Sequence, residues 1–289
     1  MSQPRVVAII QARMGSSRLP GKVLLDLAGQ PMLSRVVERT RLAKTVDQVV
    51  VATTIEISDE PVVELCAARG YACYRGSLYD VLDRYYQAAR QFGAKAVVRI
   101  TADCPLIDPE VIDRTVRAFF GQTEPWDRVL MAKDSFPNPQ TQQFSAEKPF
   151  DFAANRLPPP WGRTYPIGLD TEVCTFEALE TAWVEATEKH QREHVMPFFY
   201  DNPQRFRTLL VNHSEDLGAL RWTVDTPKDL ELLRAIFEAF PGRDEVPWLE
   251  VLSLVRRRPE LEQINAQVEH KHYLQVDERL EQRLDDHQE

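Results

Sequence analysis

Between residues 9 and 22 the chain reads IIQARMGSSRLPGK, which places three fixed cations, Arg13, Arg18 and Lys22, among Gly15, Ser16, Ser17 and Gly21. Glycines let backbone N–H groups approach an anion closely, serine hydroxyls add donors, and the cations offset negative charge. The stretch therefore has the composition of a phosphate cradle for a polyanion such as a nucleoside triphosphate. It is not a Walker A loop: five residues separate Gly15 from Gly21, and Val23, not Ser or Thr, follows the lysine. A surface loop with solvated cations has the same composition, so both readings stay open at this point.

Two aspartates stand out further along, Asp103 after the apolar run AVVRIT and Asp225 after RWTV. Taken singly, each is better explained as a cap, Asp103 before the Pro105 turn and Asp225 before a helix opening at Thr226-Pro227. His190-Gln191-Arg192-Glu193-His194 fits H-x-x-E-H, an inverted zinc-protease pattern. A match this short arises easily by chance, and His190 reads as a structural histidine. The four cysteines, at 66, 73, 104 and 174, form no C-x-x-C pair and read as reduced thiols.

These groups must be carried by elements that end close together. An apolar strand over 6–10 runs straight into the cradle. Pro31 opens a helix with Leu33, Val36 and Val37 on one face. The β-branched run over 49–52 predicts a buried strand within 46–53, and Ser58 is expected to cap the next helix, which Gly70 closes. A strand over 71–74, a helix over 80–92, a strand over 96–101, a helix over 108–120 and a strand over 129–132 follow. This alternation predicts an α/β fold with an open, doubly wound, mostly parallel sheet. Such sheets bind ligands beyond the carboxyl ends of their strands. The cradle, Thr53-Thr54 and Asp103 all fall at ends of that kind.

Residues 135–165 change character and become proline-rich, with Pro158-Pro159-Pro160 followed by Trp161-Gly162. They are expected to form a loop or lid insertion, or a subunit contact, and not core. Strands over 168–173, 206–211 and 220–224 and helices over 176–186, 190–200, 227–237 and 247–255 complete one domain over 1–271. Residues 272–289 are a highly charged tail. Because the cradle lies at a strand end, Lys22→Ala is expected to lose turnover while the fold survives.

A chain of 289 residues with 43% hydrophobic content supports an ordinary globular core. The formal net charge of -9 argues against a general nucleic-acid binder but allows a local cationic pocket for a small anion. No stretch approaches the roughly 20 apolar residues of a membrane span and no signal peptide opens the chain, so a cytoplasmic protein with no membrane insertion is expected. A homodimer is the expected assembly.

The string over 9–22, with Gly29-Gln30-Pro31-Met32, resembles the nucleotide-binding opening of the cytidylyltransferases that activate acidic sugars, 3-deoxy-manno-octulosonate and sialic acid. The branch called spore coat polysaccharide biosynthesis protein F shares the most of the later pattern. That pattern comprises Val51-Ala52-Thr53-Thr54, Arg75-Gly76-Ser77 with Asp80 to Arg84, and Arg99 to Leu106. It continues with Tyr165-Pro166, Gly168-Leu169-Asp170, Glu172-Val173, Arg192-Glu193-His194 and Arg221 to Asp225. The resemblance spans roughly residues 5–271 and implies a nucleotide-diphospho-sugar transferase-like (GT-A-like) sheet. Ile167, where the branch usually carries aspartate, and the proline-rich 157–162 depart from the pattern, both where acceptor recognition is expected.

The resemblance implies transfer of CMP from CTP to an acidic keto sugar, with release of pyrophosphate, for surface polysaccharide or glycan synthesis. It implies that Arg13 and Lys22 bind phosphate as the catalytic cations and that Asp103 and Asp225 hold Mg²⁺, which takes hard oxygen ligands and only one or two carboxylates. Ala12, Gly15, Ser16, Ser17, Arg18 and Ala102 are expected at the nucleotide, with Thr53, Ser77, Asp80 and Arg84 as base or ribose contacts. Glu172, Arg192 and His194 are expected on the acceptor side. The competing readings are a glycosyltransferase of the same layout, disfavoured because Pro105 stands where an Asp-x-Asp motif needs its second aspartate, and a non-catalytic nucleotide-binding protein.

Overall fold

The computed structural model describes residues 4–130, 150–269 and 274–275. Among these, the strands β1 (Val6–Gln11), β2 (Gln48–Thr54), β3 (Ala72–Gly76), β4 (Ala96–Thr101), β5 (Arg128–Val129), β6 (Phe152–Ala154), β7 (Glu172–Thr175) and β8 (Thr208–Leu210) form one sheet. Their order is β3-β2-β1-β4-β7-β6-β8-β5. The first four strands are mutually parallel, β7 turns antiparallel against β4, and β6 pairs parallel with β8. The chain moves outward from β1 to β3 and then returns to lay β4 on the other side of β1. The crevice beyond β1 and β4 is thus a topological switch point.

The two-residue period of the strands feeds two apolar layers. Val6, Ala8 and Ile10 pack into one with Val98 and Ile100, while Val7 and Ile9 join Val97 in the other. On the first face lie α1 (Met32–Arg41), α2 (Glu60–Arg69) and α4 (Pro109–Phe119), through Val36, Val62 and Ile112 among others. On the second lie α3 (Val81–Gln91), α5 (Phe176–Glu185) and α7 (Pro197–Asp201), through Tyr85, Leu179 and Phe199. The Tyr85 hydroxyl sits 3.1 and 3.2 Å from the carbonyl oxygens of Ile9 and Ile100, locking α3 under the ends of β1 and β4. A third apolar cluster joins α8 (Pro227–Glu238) and α9 (Trp248–Arg257) to Leu169, Trp222 and Val224.

Several expectations are corrected. The 135–165 stretch is not simply a lid: residues 135–149 lie outside the described residues, but Phe150 is buried with its N–H on Phe119 O at 2.9 Å, and β6 is buried in the sheet between β7 and β8. No strand forms over 220–224. Trp222 N–H bonds Ile167 O at 2.7 Å and Val224 N–H bonds Asp103 O at 2.8 Å, so the segment changes partner every two residues and leaves only an isolated bridge from Ile167 to Arg221. The expected strand over 168–173 starts only at Glu172, because Gly168 turns at φ 105. The expected helix over 190–200 is split into α6 (Lys189–His194) and α7 at Val195, whose φ is 72. Ser58 lies inside a short 3-10 turn and caps nothing; Asp59 precedes α2 but its carboxylate turns toward the cradle. Arg128 and Val129 pair with β8, while the rest of the expected 129–132 strand beyond Leu130 lies outside the described residues.

Candidate active site

The cradle leaves the end of β1 as a compact loop. Gly21 N–H and Ser16 N–H both donate to Met14 O at 2.9 Å, and Gly21 takes φ 71, a left-handed conformation that favours glycine. The buried carboxylate of Asp59 accepts from Met14 N–H at 2.6 Å and from the Thr54 hydroxyl, tying the loop to the end of β2. A 3-10 turn over Lys22–Leu24 follows, and Lys22 points back into the molecule with only 9% of its surface exposed.

The Lys22 ammonium reaches both aspartates, Asp103 Oδ2 at 2.8 Å and Asp225 Oδ1 at 2.9 Å, and donates to Val224 O at 2.8 Å. The bond from Val224 N–H to Asp103 O, backed by the Thr223 hydroxyl on the same carbonyl at 3.0 Å, is what brings Asp225 beside Asp103. The other Asp225 oxygen takes Arg18 at 2.9 Å and Arg221 at 2.7 Å, and Arg221 is braced in turn by buried Asp229. Burial would raise the Asp225 pKa, but Lys22, Arg18 and Arg221 outweigh it and hold it below the ordinary aspartate value. Burial likewise acts to lower the Lys22 pKa, and the two aspartates overcome it and hold it above the ordinary lysine value. Cys104, buried next to Asp103, is pushed well above the ordinary thiol value by burial and then by that carboxylate, so it stays protonated.

A cavity of about 660 Å³ opens from this pair. Seven fixed cations line it, Arg13, Arg18, Lys22, Arg84, Arg99, Arg156 and Arg163, against the carboxylates of Asp103, Asp225 and Glu193. Arg163 is held by Asp170 at 2.7 Å and Arg99 by Glu172, yet cations still outnumber carboxylates around the cavity of a chain with net charge -9, a local reversal of sign that suits a polyanion. Burial, with Arg13 close by, pushes Arg84 down to about 10, which leaves it charged at neutral pH. Arg99 projects from β4 on the same face as Val97 and is paired with buried Glu172, which Arg156 approaches at 3.7 Å. Arg156 and Arg163 bridge across the proline-rich 157–162, closed by Leu157 N–H on Gly162 O at 2.9 Å, so that stretch delivers two cations to the wall it also lines. His194 faces the cavity; burial first, then Arg99, Arg156 and His190, press its pKa down to about 4, so it is neutral at pH 7.

Of the residues singled out in the sequence, Ala12, Arg13, Gly15, Ser16, Ser17, Arg18, Lys22, Arg84, Ala102, Asp103, His194 and Asp225 all line this cavity. Five others do not. Thr53 is a fully buried residue of β2, and the Ser77 hydroxyl accepts from Tyr79 and Asp80 N–H groups. Asp80 caps α3 and pairs with Arg192, so each uses the other up away from the cavity. Glu172 is 2% exposed and serves as the counter-ion of Arg99. Arg99, Arg156, Arg163 and Tyr200, to which no role was assigned from sequence, also line the cavity; an arginine inside the apolar run AVVRIT was the available signal. His190 pairs with Asp201 at 2.8 Å, whereas His194 meets Gln275 O at 3.1 Å, and no cluster of three or more His, Cys, Asp or Glu suited to a metal occurs among the described residues.

For Mg²⁺ the donor set fits. Asp103 Oδ2 and Asp225 Oδ1 converge on one point at the cavity wall, and two carboxylates plus ligand phosphate and water is the usual set for that ion. None of the helices among the described residues is long and apolar enough to cross a membrane.

Comparison with known proteins places this arrangement. The family model described as "Cytidylyltransferase" matches residues 7–239. An uncharacterized protein of Methanocaldococcus jannaschii is 35% identical over 276 residues, covering 95% of this chain and all of that one. Spore coat polysaccharide biosynthesis protein SpsF of Bacillus subtilis is 29% identical, covering 88% of this chain and 95% of its own. A 3-deoxy-manno-octulosonate cytidylyltransferase of Anaeromyxobacter dehalogenans is 32% identical, covering 81% and 98%. Among solved structures, a cytidylyltransferase from Leptospira borgpetersenii superposes with a TM-score of 0.76 at 28% identity, covering 93% of this chain and all of that one.

Proposed function

This chain belongs to the cytidylyltransferase family, and from that premise we propose that it transfers CMP from CTP to an acidic keto sugar, releasing pyrophosphate, in a Mg²⁺-dependent reaction. The observation that carries the proposal is the continuity of one cavity. It joins the cationic cradle to the Asp103–Asp225 pair and then to a second cationic wall of Arg99, Arg156 and Arg163. A triphosphate needs the first, and a sugar carboxylate suits the second, because arginine binds carboxylates through paired donors.

In the reaction an acceptor hydroxyl oxygen bonds to the α-phosphorus as the bond to the β-phosphate oxygen breaks. Little covalent work falls to the protein, so alignment and charge neutralisation dominate. Arg13 and Arg18 hold the triphosphate against the loop. Asp103 and Asp225 would hold Mg²⁺, which when bound neutralises charge developing on the phosphates. Neutral His194, beside the second wall, offers hydrogen bonding to the acceptor without adding charge. The relatives named for 3-deoxy-manno-octulosonate and for spore coat polysaccharide support an acidic sugar and a role in polysaccharide synthesis.

The test is pyrophosphate release with Mg²⁺, each of the four nucleoside triphosphates and a panel of keto-sugar acids. Release that requires CTP and one of the acids is expected. Turnover of a nucleotide-sugar with no triphosphate requirement would sink the proposal in favour of glycosyl transfer.

A further inference from the structure

An ammonium has three protons, and all three of Lys22 are engaged, on Asp103 Oδ2, Asp225 Oδ1 and Val224 O. The Lys22 nitrogen lies 2.8 and 2.9 Å from the same two oxygens that face each other across the wall. A magnesium ion held by both of those oxygens would contact each at about 2.0–2.1 Å, closer than the ammonium does, and so would compete with the ammonium for them.

The remainder of the pair is braced independently of Lys22. Asp225 keeps Arg18 and Arg221 on its other oxygen, and Arg221 is fixed by Asp229, itself bonded to buried Asn265 at 2.9 Å. Asp103 is held through its backbone carbonyl by Val224 and Thr223. Removing the ammonium therefore frees Asp103 Oδ2 and Asp225 Oδ1 without releasing either residue, and a four-carbon stem lets the lysine swing into the cavity beside Arg13 and Arg18.

We infer that Lys22 is a resident counter-cation of the Asp103–Asp225 pair, displaced when a divalent ion enters and thereby turned toward the nucleotide phosphates. The inference rests on the reading of this pair as the metal site. Its consequence is linkage: the free protein binds a divalent ion weakly because the ion must evict the lysine, and a polyphosphate, by giving the ammonium a new partner, strengthens ion binding.

The experiment is Mn²⁺ binding to the whole, nucleotide-free protein, followed by water-proton relaxation. Lys22→Met is expected to bind Mn²⁺ at least about tenfold tighter than the wild type, within the usual range of coupling between sites, and Asp103→Asn to lose binding. A second measurement needs no variant. The Lys22 ammonium, held by three acceptors, gives a slowly exchanging ¹⁵N–¹H signal that disappears on addition of Mg²⁺ alone. Equal or weaker Mn²⁺ binding by folded Lys22→Met, with Asp103→Asn still impaired, overturns the inference and leaves the metal reading standing, as does an ammonium signal that persists at saturating Mg²⁺. If Asp103→Asn binds Mn²⁺ like the wild type even with CTP present, the metal reading falls and takes the inference with it.

Discussion

The buried carboxylate of Asp59 accepts the backbone N–H of Met14 at 2.6 Å while its other oxygen takes the Thr54 hydroxyl. A residue just ahead of α2 thus sets the position of a loop that leaves β1, and through it the cations Arg13, Arg18 and Lys22. Asp59→Ala is expected to cost about 3–6 kcal/mol of stability, since hydrogen bonds to charged groups contribute roughly 1.5–3 kcal/mol each and two are lost. Urea midpoints measure that loss. The KM for CTP should rise while the KM for the acceptor stays near the wild-type value; equal increases in both would mean the loop is not what Asp59 positions.

Lys22→Ala should be inactive and still folded, but less stable than the wild type. The substitution leaves two carboxylates facing one another at a wall where their side chains are 25% and 17% exposed. Breaking a fully buried pair costs roughly 3–5 kcal/mol, so with partial hydration about 2–3 kcal/mol is expected. Thermal melts with and without Mg²⁺ read it. Mg²⁺ should restore part of the loss, and a melt indifferent to the ion would contradict the carboxylate origin.

Asp103→Asn should fold normally and lose at least about a hundredfold in kcat, the scale seen when one electrostatic anchor of a transition state is removed. The amide is isosteric and the backbone bonds to Val224 and Thr223 remain, so the circular dichroism spectrum should match that of the wild type. Activity within a few-fold of wild type would exclude Asp103 from the reaction.

Arg156→Gln should raise the KM for the acidic acceptor about tenfold, the equivalent of one charge-assisted hydrogen bond at roughly 1.4 kcal/mol, and leave the KM for CTP unchanged. Steady-state kinetics with each substrate varied in turn decides this. A selective effect on CTP would move Arg156 to the nucleotide side.

Stability should fall on acidification in two stages. His194 has a folded pKa of about 4, below its unfolded value near 6.5. Between these values the unfolded chain binds the extra proton, so the His194 contribution is complete above about pH 6.5 and is lost as pH falls toward 4. Asp225, depressed by its three cations, contributes above the ordinary aspartate pKa and loses that contribution only below it. Urea midpoints across this range should show the upper stage flattened in His194→Gln; an unchanged slope would assign it to another group.

The cradle and Asp103 were legible in the sequence because each follows an apolar run that becomes a strand, and strand ends of a doubly wound sheet meet at one crevice, whereas Asp225 follows no strand and was implied only by the family resemblance. The polar residues at neighbouring ends were not separable by that logic. Asp80 and Arg192 carry plausible ligand chemistry but neutralise each other, and Glu172 looks like an acceptor contact until Arg99 is seen opposite it in the β4–β7 register. Arg156 and Arg163 flank a run of prolines that reads as an insertion, and only the bridge between them turns both onto the cavity. Pairings of this kind depend on which side chains meet across elements, and the order of residue types along one chain does not encode them locally.

The segment carrying Asp225 enters the site without becoming a strand. It is clasped by Asp103 on one side and by 167–168 on the other, where a Cβ on Gly168 would lie 2.6 Å from the Trp222 carbonyl carbon. During synthesis, a chain that has emerged only as far as α4 carries the cradle and Asp103 but no second carboxylate. Nucleotide turnover therefore waits on the C-terminal third of the polypeptide, and proteolysis between α7 and α8 should silence the enzyme by removing Asp225 and its bracing partners Arg221 and Asp229.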